Sequence, residues 1–359
     1  MPLHFRPAVA GSAIAGVLLC AAGAATAADP APALKSLIEA ANKEGALNLS
    51  WGEGTLGGSQ GLKTFEREIN ATYGTKLKIT FTPGDSMPAM GNKIATLMAA
   101  GQPSLSDVYI AYVRTMGVLH PKKMFHSADW KALGMPEGAI EADGTMIKIV
   151  SATPAILYNT RAAPHKPERL TDFLKPEWKG KIASTPYAAN FDMLASNEMW
   201  GPEKALDFSR KLSDQLAGLI RCNEVERIAS GEFAAFLITC TGNDADDIIK
   251  KGAPLAQVVP RDFAVVGHFY LSVPKNATHP NAAKLFTLFA LSPAGQKLVY
   301  DTWGSDLDLL PGSRTRGQIA KIEAEYGIKM KRFDIAWELK NDAGNKAWSD
   351  ITKILAKRK

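Results

Sequence analysis

The residues best able by type and spacing to do chemistry lie in one glycine-rich stretch, Trp51 to Gly61. Gly52-x-Gly54-x-x-Gly57 fits the pattern in which a tight turn presents a pyrophosphate to a helix N-terminus. That pattern needs an acid about 20 residues on, at the tip of the next strand. The nearest candidate, Asp85, is 33 residues beyond Gly52. The overlapping Gly57-Gly58-Ser59-Gln60-Gly61 fits a nucleophile elbow, whose serine must sit on a sharp turn directly after a strand. Ser59 lies eight residues past Trp51 and suits a helix N-cap better. Asp262 and His268 are available as triad partners, but a long chain supplies such residues anyway. The chain therefore reads as a non-enzyme, with a secreted α/β hydrolase using Ser59 as the catalytic alternative.

Metal chemistry finds less support. His120, His126, His165, His268 and His279 never fall at ligand spacing, and the sequence has no HExxH or CxxC. No cofactor and no metal are expected.

What remains is a set of loops that follow strands. Trp51–Ser59, Gly84–Ser86, Tyr109–Tyr112, Thr153–Pro154, Pro186–Asn190, Asn223 and Thr241–Asn243 all do so. Several of them precede helices, whose free N–H groups and positive dipole end favour an anion. The expected ligand contacts are Trp51, Gly58, Ser59, Asp85, Tyr112, Thr153, Tyr187, Asn190, Asn223 and Thr241. Each taken alone is more often a turn or cap residue than a ligand contact; their convergence carries the reading. Helix starts after Gly58, Ala189 and Asn223 would hold a carboxylate, phosphonate or phosphate, and Trp51, Tyr112 and Tyr187 would cover an organic body. Asp85 is the discriminating member. Without it in the site a simple organic acid is favoured; with it, a zwitterion or polyamine.

The elements that must position these loops can be read from periodicity. Leu34, Leu37, Ile38 and Ala41 mark a helix closed by Gly45. Leu47, Leu49 and Trp51 alternate as a strand. A helix carrying Leu62, Phe65 and Ile69 follows, then a strand over 77–82, a helix through Met90, Ile94 and Met98, and a strand over 107–112. Strand alternating with helix predicts a parallel sheet covered by helices. The middle of the chain repeats this grammar. It has β segments over 147–158 and at 181–184, a helix over 203–212 and a strand over 218–222. Asn223 caps a helix running through Ala229, and a buried strand covers 234–240. The face Ala282, Leu285, Phe286, Phe289 is helical, Pro293 opens the next helix, and a polar helical tail starts near Arg316.

The fold expected is α/β with two lobes and a cleft between them, each lobe a sheet flanked by helices. Crossings near Ser151–Pro154 and Pro260–Gly267 assign 28–150 plus 264–315 to one lobe and 151–263 plus 316–359 to the other. Ligands of such sheets bind beyond the carboxyl ends of the strands.

Composition agrees with a globular chain: of 359 residues, 46% are hydrophobic and 22% charged. The first 27 residues read as a secretory signal: Arg6, an apolar run from Ala8 to Ala22, and the small residues Ala25-Thr26-Ala27 before the cut. Cys20 opens a lipoprotein alternative, but Leu19 occupies the position where a small residue is expected. Removing the signal takes away one arginine and no acid, lowering the net charge from +6 to +5. The basic residues are scattered, which excludes a nucleic-acid stripe and leaves a solvated surface or a modest bias toward anions. Cys222 and Cys240 remain in the mature chain. In an oxidising compartment they form either a disulfide or two buried thiols.

Four segments in order carry a resemblance. Thr171-Asp172-Phe173-Leu174-Lys175-Pro176-Glu177-Trp178-Lys179-Gly180-Lys181-Ile182-Ala183 resembles the "L-x-x-P-x-W-K-G-K-I" segment of periplasmic solute-binding proteins of the ferric-ion, polyamine and phosphonate transporter group. Ala229-Ser230-Gly231-Glu232 resembles their "A-x-G-E". His279-Pro280-Asn281-Ala282-Ala283-Lys284-Leu285-Phe286 and Leu291-Ser292-Pro293-Ala294-Gly295-Gln296 resemble their late helix pair. The likeness spans essentially the whole mature chain. It implies a type II binding-protein fold, a periplasmic monomer closing over one small solute and docking on an ABC-transporter permease with its ATPase. Asn223 matches a helix-capping Asn of the family, and Ala188-Ala189-Asn190 opens a helix in the corresponding loop. Ferric members use a His in the first loop, a Glu after the third strand and a Tyr pair after the strand ending here at Cys240. Glu53, Tyr112 and Thr241-Gly242 stand near those positions, so direct iron binding is not implied. The function expected is capture of a small, anionic organic solute, with a polyamine or ferric ion as the family alternatives.

Overall fold

The computed structural model describes residues 31–357. The signal-peptide assignment falls on residues 1–30, outside the described residues. Among the described residues no helix is long and apolar enough to cross a membrane.

Twelve strands occur among them: β1 (Ala46–Trp51), β2 (Lys78–Pro83), β3 (Tyr109–Tyr112), β4 (Ile140–Glu141), β5 (Met146–Ala152), β6 (Ile156–Asn159), β7 (Ile182–Ser184), β8 (Leu216–Leu219), β9 (Ala235–Phe236), β10 (Leu255–Val258), β11 (Val265–Ser272) and β12 (Lys331–Arg332). β1 and β2 pair in parallel, and a bridge from Leu49 to Val108 links β1 to the entry of β3. β3 pairs antiparallel with β11, which also pairs with β5 and β12, while β5 continues to β4. The second sheet runs β10-β6-β9-β7-β8. The chain thus leaves the first sheet after Ala152, enters the second at Ile156, and returns between Val258 and Val265.

Helix boundaries follow local chemistry. Helix Pro32–Glu44 ends at Gly45, whose φ of 67° lets its N–H reach back to Ala41 O. Phe65, Phe286 and Phe289 are all fully buried, so the helices Gly58–Tyr73 and Pro280–Ala290 share one core with β1. The C-terminal helix Asp342–Ala356 packs on helix Pro202–Ser213, beside the second sheet.

Three expected elements come out shorter. The strand expected over 234–240 pairs regularly only at Ala235–Phe236. Beyond that, Leu237 N–H turns to Ala183 O and Thr239 N–H to Ala155 O, so the segment stays buried while leaving the ladder. The strand expected over 218–222 lies at Leu216–Leu219. The helix expected from Asn223 is one turn, Glu226–Ala229, because Glu224 takes the Arg221 N–H at 2.6 Å and closes a turn first.

The crossing is held by a buried polar network. Ser151 Oγ donates to Asp308 Oδ1 at 2.6 Å, Arg332 meets Oδ2 at 2.5 Å, and His268, opposite Ser151 in the β5–β11 ladder, lies 3.8 Å from Oδ1. Burial works against the charge of Asp308, but His268, Ser151 and Arg332 together hold its carboxyl well below the usual range.

Candidate functional site

A cleft of about 1440 Å³ opens where loops of the two sheets face each other. One wall is formed by Gly52–Thr55, Gly84–Ala89, Tyr112, Arg114 and 300–304. The other is formed by Pro186, Tyr187, Asn190, Asp192, Arg221–Asn223 and 240–247, with Trp348 from the C-terminal helix. Tyr112, Phe269 and Trp303 form a continuous aromatic floor, with ring centroids 4.8 and 4.7 Å apart.

Six of the ten expected contacts line this cleft: Asp85, Tyr112, Tyr187, Asn190, Asn223 and Thr241. Four do not. Trp51 is 2% exposed and packs against Phe81 and Phe286, since the alternation of β1 puts it on the same inward face as Leu47 and Leu49. Its Nε1 donates to Thr55 O at 3.1 Å, so it anchors the cleft loop from beneath. Gly58 is buried, with φ of 52°, in a spot where a Cβ would collide with Glu53. Ser59 is not the N-cap. Gly57 is, and Ser59 lies inside the helix, away from the turn an elbow requires. Thr153 serves the crossing: its N–H donates to Thr241 O at 3.0 Å and its carbonyl packs on Gly242.

The expected free N–H donors are also largely occupied, each by a carboxylate of the protein. Glu53 Oε1 takes the Ser59 N–H at 3.0 Å. Asp192 faces its own N–H and that of Met193, at the short helix after Asn190. Asp244 Oδ2 takes the Thr241 N–H at 2.9 Å. Asn190, with φ of 64°, turns its amide inward to Thr239 O at 3.0 Å. The cradles expected after Gly58 and Ala189 are therefore already occupied by the protein's own carboxylates.

The balance of charge is the reverse of the whole chain's. Seven carboxylates line the cleft (Glu53, Asp85, Asp192, Asp244, Asp246, Asp247, Asp301) against four bases (Arg114, Arg221, Lys250, Arg314). Two of those bases are committed. Arg314 pairs with Asp301 at 3.0 Å, and Arg114 lies 3.5 Å above the Trp348 ring while bonding Asn345. Asp85 is exposed and bridged by Lys93, which lowers its pKa. Burial raises the carboxyls of Asp192, Asp244 and Asp246, and pushes the Tyr112 hydroxyl well up, so that it is a neutral donor.

Cys222 and Cys240 are joined in a disulfide, Cα atoms 5.9 Å apart, resolving the alternative left open above. Both line the cleft, and the Tyr187 hydroxyl accepts from Cys222 N–H at 3.3 Å.

A family profile described as bacterial extracellular solute-binding protein matches residues 62–324. The chain belongs to this family. Solute-binding proteins of this kind bind and are not enzymes, so the two glycine-rich patterns near Ser59 are structural. Over 129 residues the chain is 29% identical to an Fe(3+)-binding periplasmic protein of Serratia marcescens, a match covering 35% of this chain and only 37% of that relative. Among solved structures it is similar to the substrate binding protein of an ABC transporter from Agrobacterium tumefaciens, with TM-score 0.71 at 15% identity over 88% of this chain and 97% of that one. It is also similar to the spermidine/putrescine ABC transporter substrate-binding protein PotD from Streptococcus pneumoniae, with TM-score 0.59 at 17% identity over 86% and 99%. These likenesses establish the two-lobed α/β fold. Among the described residues no three His, Cys, Asp or Glu side chains are grouped so as to hold a metal ion.

Sequence reasoning missed Arg114, Asp192, Trp303 and Trp348. Arg114 and Asp192 stand two residues beyond expected contacts, on the helical turns that follow them. Trp348 had no local signal, since its place in the cleft depends on the C-terminal helix crossing to the second sheet.

Proposed function

We propose that this chain captures an organic solute bearing an ammonium group in the cleft between its lobes and delivers it to a membrane permease of the ABC type. The observation carrying the reading is the acidic cleft of a basic chain, where the protein's own carboxylates already occupy the N–H groups an anion would use. Aromatic faces at Tyr112, Phe269, Trp303 and Trp348 suit the same ligand, because a cation is attracted to ring faces as well as to carboxylates. Asp85, Tyr112, Tyr187, Asn190, Asn223 and Thr241 are the retained contacts, joined by Asp192.

The reading includes a periplasmic monomer released from its signal near Ala27, with lobes of 28–150 plus 264–315 and 151–263 plus 316–359. Closure about the crossings at Ser151–Pro154 and Pro260–Gly267 would bring the two walls together. A second reading, a zwitterion, is favoured by Arg221 and Lys250 on the cleft wall, either of which would meet a ligand carboxylate.

Calorimetric titration with spermidine, putrescine, choline, arginine, glucose 6-phosphate and citrate tests this. Ammonium compounds should bind, more weakly as salt rises, and shrink the radius of gyration in X-ray scattering. Arginine binding without the polyamines would select the zwitterion. Binding of glucose 6-phosphate or citrate alone would overturn both readings.

A further inference from the structure

Two buried carboxyls beside the cleft are incompletely paired. Asp192 is 1% and Glu338 4% exposed, and Asp192 Oδ2 and Glu338 Oε2 have no hydrogen-bond partner. They sit on different elements, Asp192 in the turn Phe191–Leu194 and Glu338 at the end of Ile335–Glu338, and only Asp192 lines the cleft. The other charged or titratable groups facing them are Arg114 and Tyr112. Arg114 is 4.0 Å from Glu338 Oε1, which also accepts from Asn345 at 2.9 Å.

One guanidinium cannot neutralise two buried carboxylates, so the pair is electrically balanced only when one of them keeps a proton. Resting on the ligand class argued above, we propose that Asp192 and Glu338 share one proton in the empty protein and that a ligand ammonium, docking on Asp192 Oδ2, drives that proton into solvent. Before binding, Arg114 and one carboxylate cancel. After binding, Arg114 and the ammonium balance two carboxylates, and the proton has passed to buffer. The direction agrees with Glu338, pushed up to about 8 by burial and by the repulsion of Asp192. Asp192 is thus the ligand contact and Glu338 a positioning residue that acts through it.

Calorimetry of spermidine binding at pH 7 in phosphate and in Tris reads the proton directly, because the two buffers differ in ionisation heat. The wild-type chain should release about one proton per ligand, and its affinity should rise about tenfold per pH unit between 6 and 8. Glu338→Gln should still bind, with proton release and pH dependence both lost. Asp192→Asn should lose at least about 100-fold in affinity while retaining its circular dichroism spectrum. Carboxyl ¹³C NMR of the ligand-free protein supplies a ligand-independent reading: one resonance should titrate above pH 7 and vanish in Glu338→Gln. Spermidine binding with equal heats in both buffers would overturn the proton displacement and leave the functional reading intact. If no ammonium compound binds, that reading fails and the displacement with it. Carboxyl resonances all titrating below pH 5 would then dismiss the shared proton itself.

Discussion

Two buried carboxylates divide the labour of this molecule. Asp308, at the crossing between the sheets, has Ser151, His268 and Arg332 around both oxygens, and its charge is held. Asp192, on the cleft wall, has one oxygen without a partner and a carboxyl that burial pushes up. Both side chains are hidden from solvent to a similar degree, so burial alone separates nothing. What separates them is satisfaction: Asp308 is completed by its neighbours, whereas Asp192 keeps one oxygen without a partner, the oxygen that the proposal above gives to the ligand's ammonium.

The comparison breaks most visibly in stability. Asp308→Asn should cost about 3 kcal/mol in urea denaturation at pH 7, by stripping charge from a group placed for Ser151 and Arg332. Asp192→Asn should cost less, about 1 kcal/mol, since an amide oxygen can keep the contacts to the Asp192 and Met193 N–H groups and the other carboxyl oxygen has no partner. Equal losses in the two variants would erase the distinction.

Removing the disulfide in a Cys222→Ser, Cys240→Ser double variant should cost about 2–3 kcal/mol by loop entropy, and loosen the wall that carries Asn223 and Thr241. Melting temperature and ligand affinity should fall together; a fall in stability with unchanged affinity would mean that the bridge does not shape the site.

Titration sharpens the contrast further, because the two regions carry opposite signs. Asp308 lies below its unfolded pKa, so its stabilisation is present above about pH 4 and is lost as acid protonates it. Glu338 is raised to about 8, so its stabilisation is present below the unfolded value near 4.3 and declines as pH rises through 8. Thermal melts of the ligand-free protein should therefore fall by a few degrees from pH 5.5 to 8.5. Glu338→Gln should flatten that slope while leaving the acid limb in place.

The smallest effect belongs to one of the contacts that span the two walls. Asn243 Nδ2 donates to Gly304 O at 2.6 Å. Asn243→Ala should cost about 1 kcal/mol or less and appear in scattering as a slightly larger radius of gyration.

The first sheet was legible because its helices and strands carry strong periodicity; the alternation Leu47, Leu49, Trp51 even implied that Trp51 faces inward, against its reading as a ligand contact. The crossings were legible as interruptions near Thr153-Pro154 and Pro260. Occupancy of the N–H groups was not, since the partners Glu53 and Asp244 are short-range acids whose direction depends on φ values no spacing encodes. The electrostatic neighbourhood of Asp192 and Glu338 was out of reach for another reason. It is made by the C-terminal segment folding back past the second sheet, 146 positions along the chain.

The disulfide has a consequence for when the protein becomes competent. Its two sulfurs fasten the turn bearing Asn223 to the turn bearing Thr241, so these two parts of the wall are tied covalently only in the oxidised chain. A copy still in a reducing compartment carries the residues without the fastening.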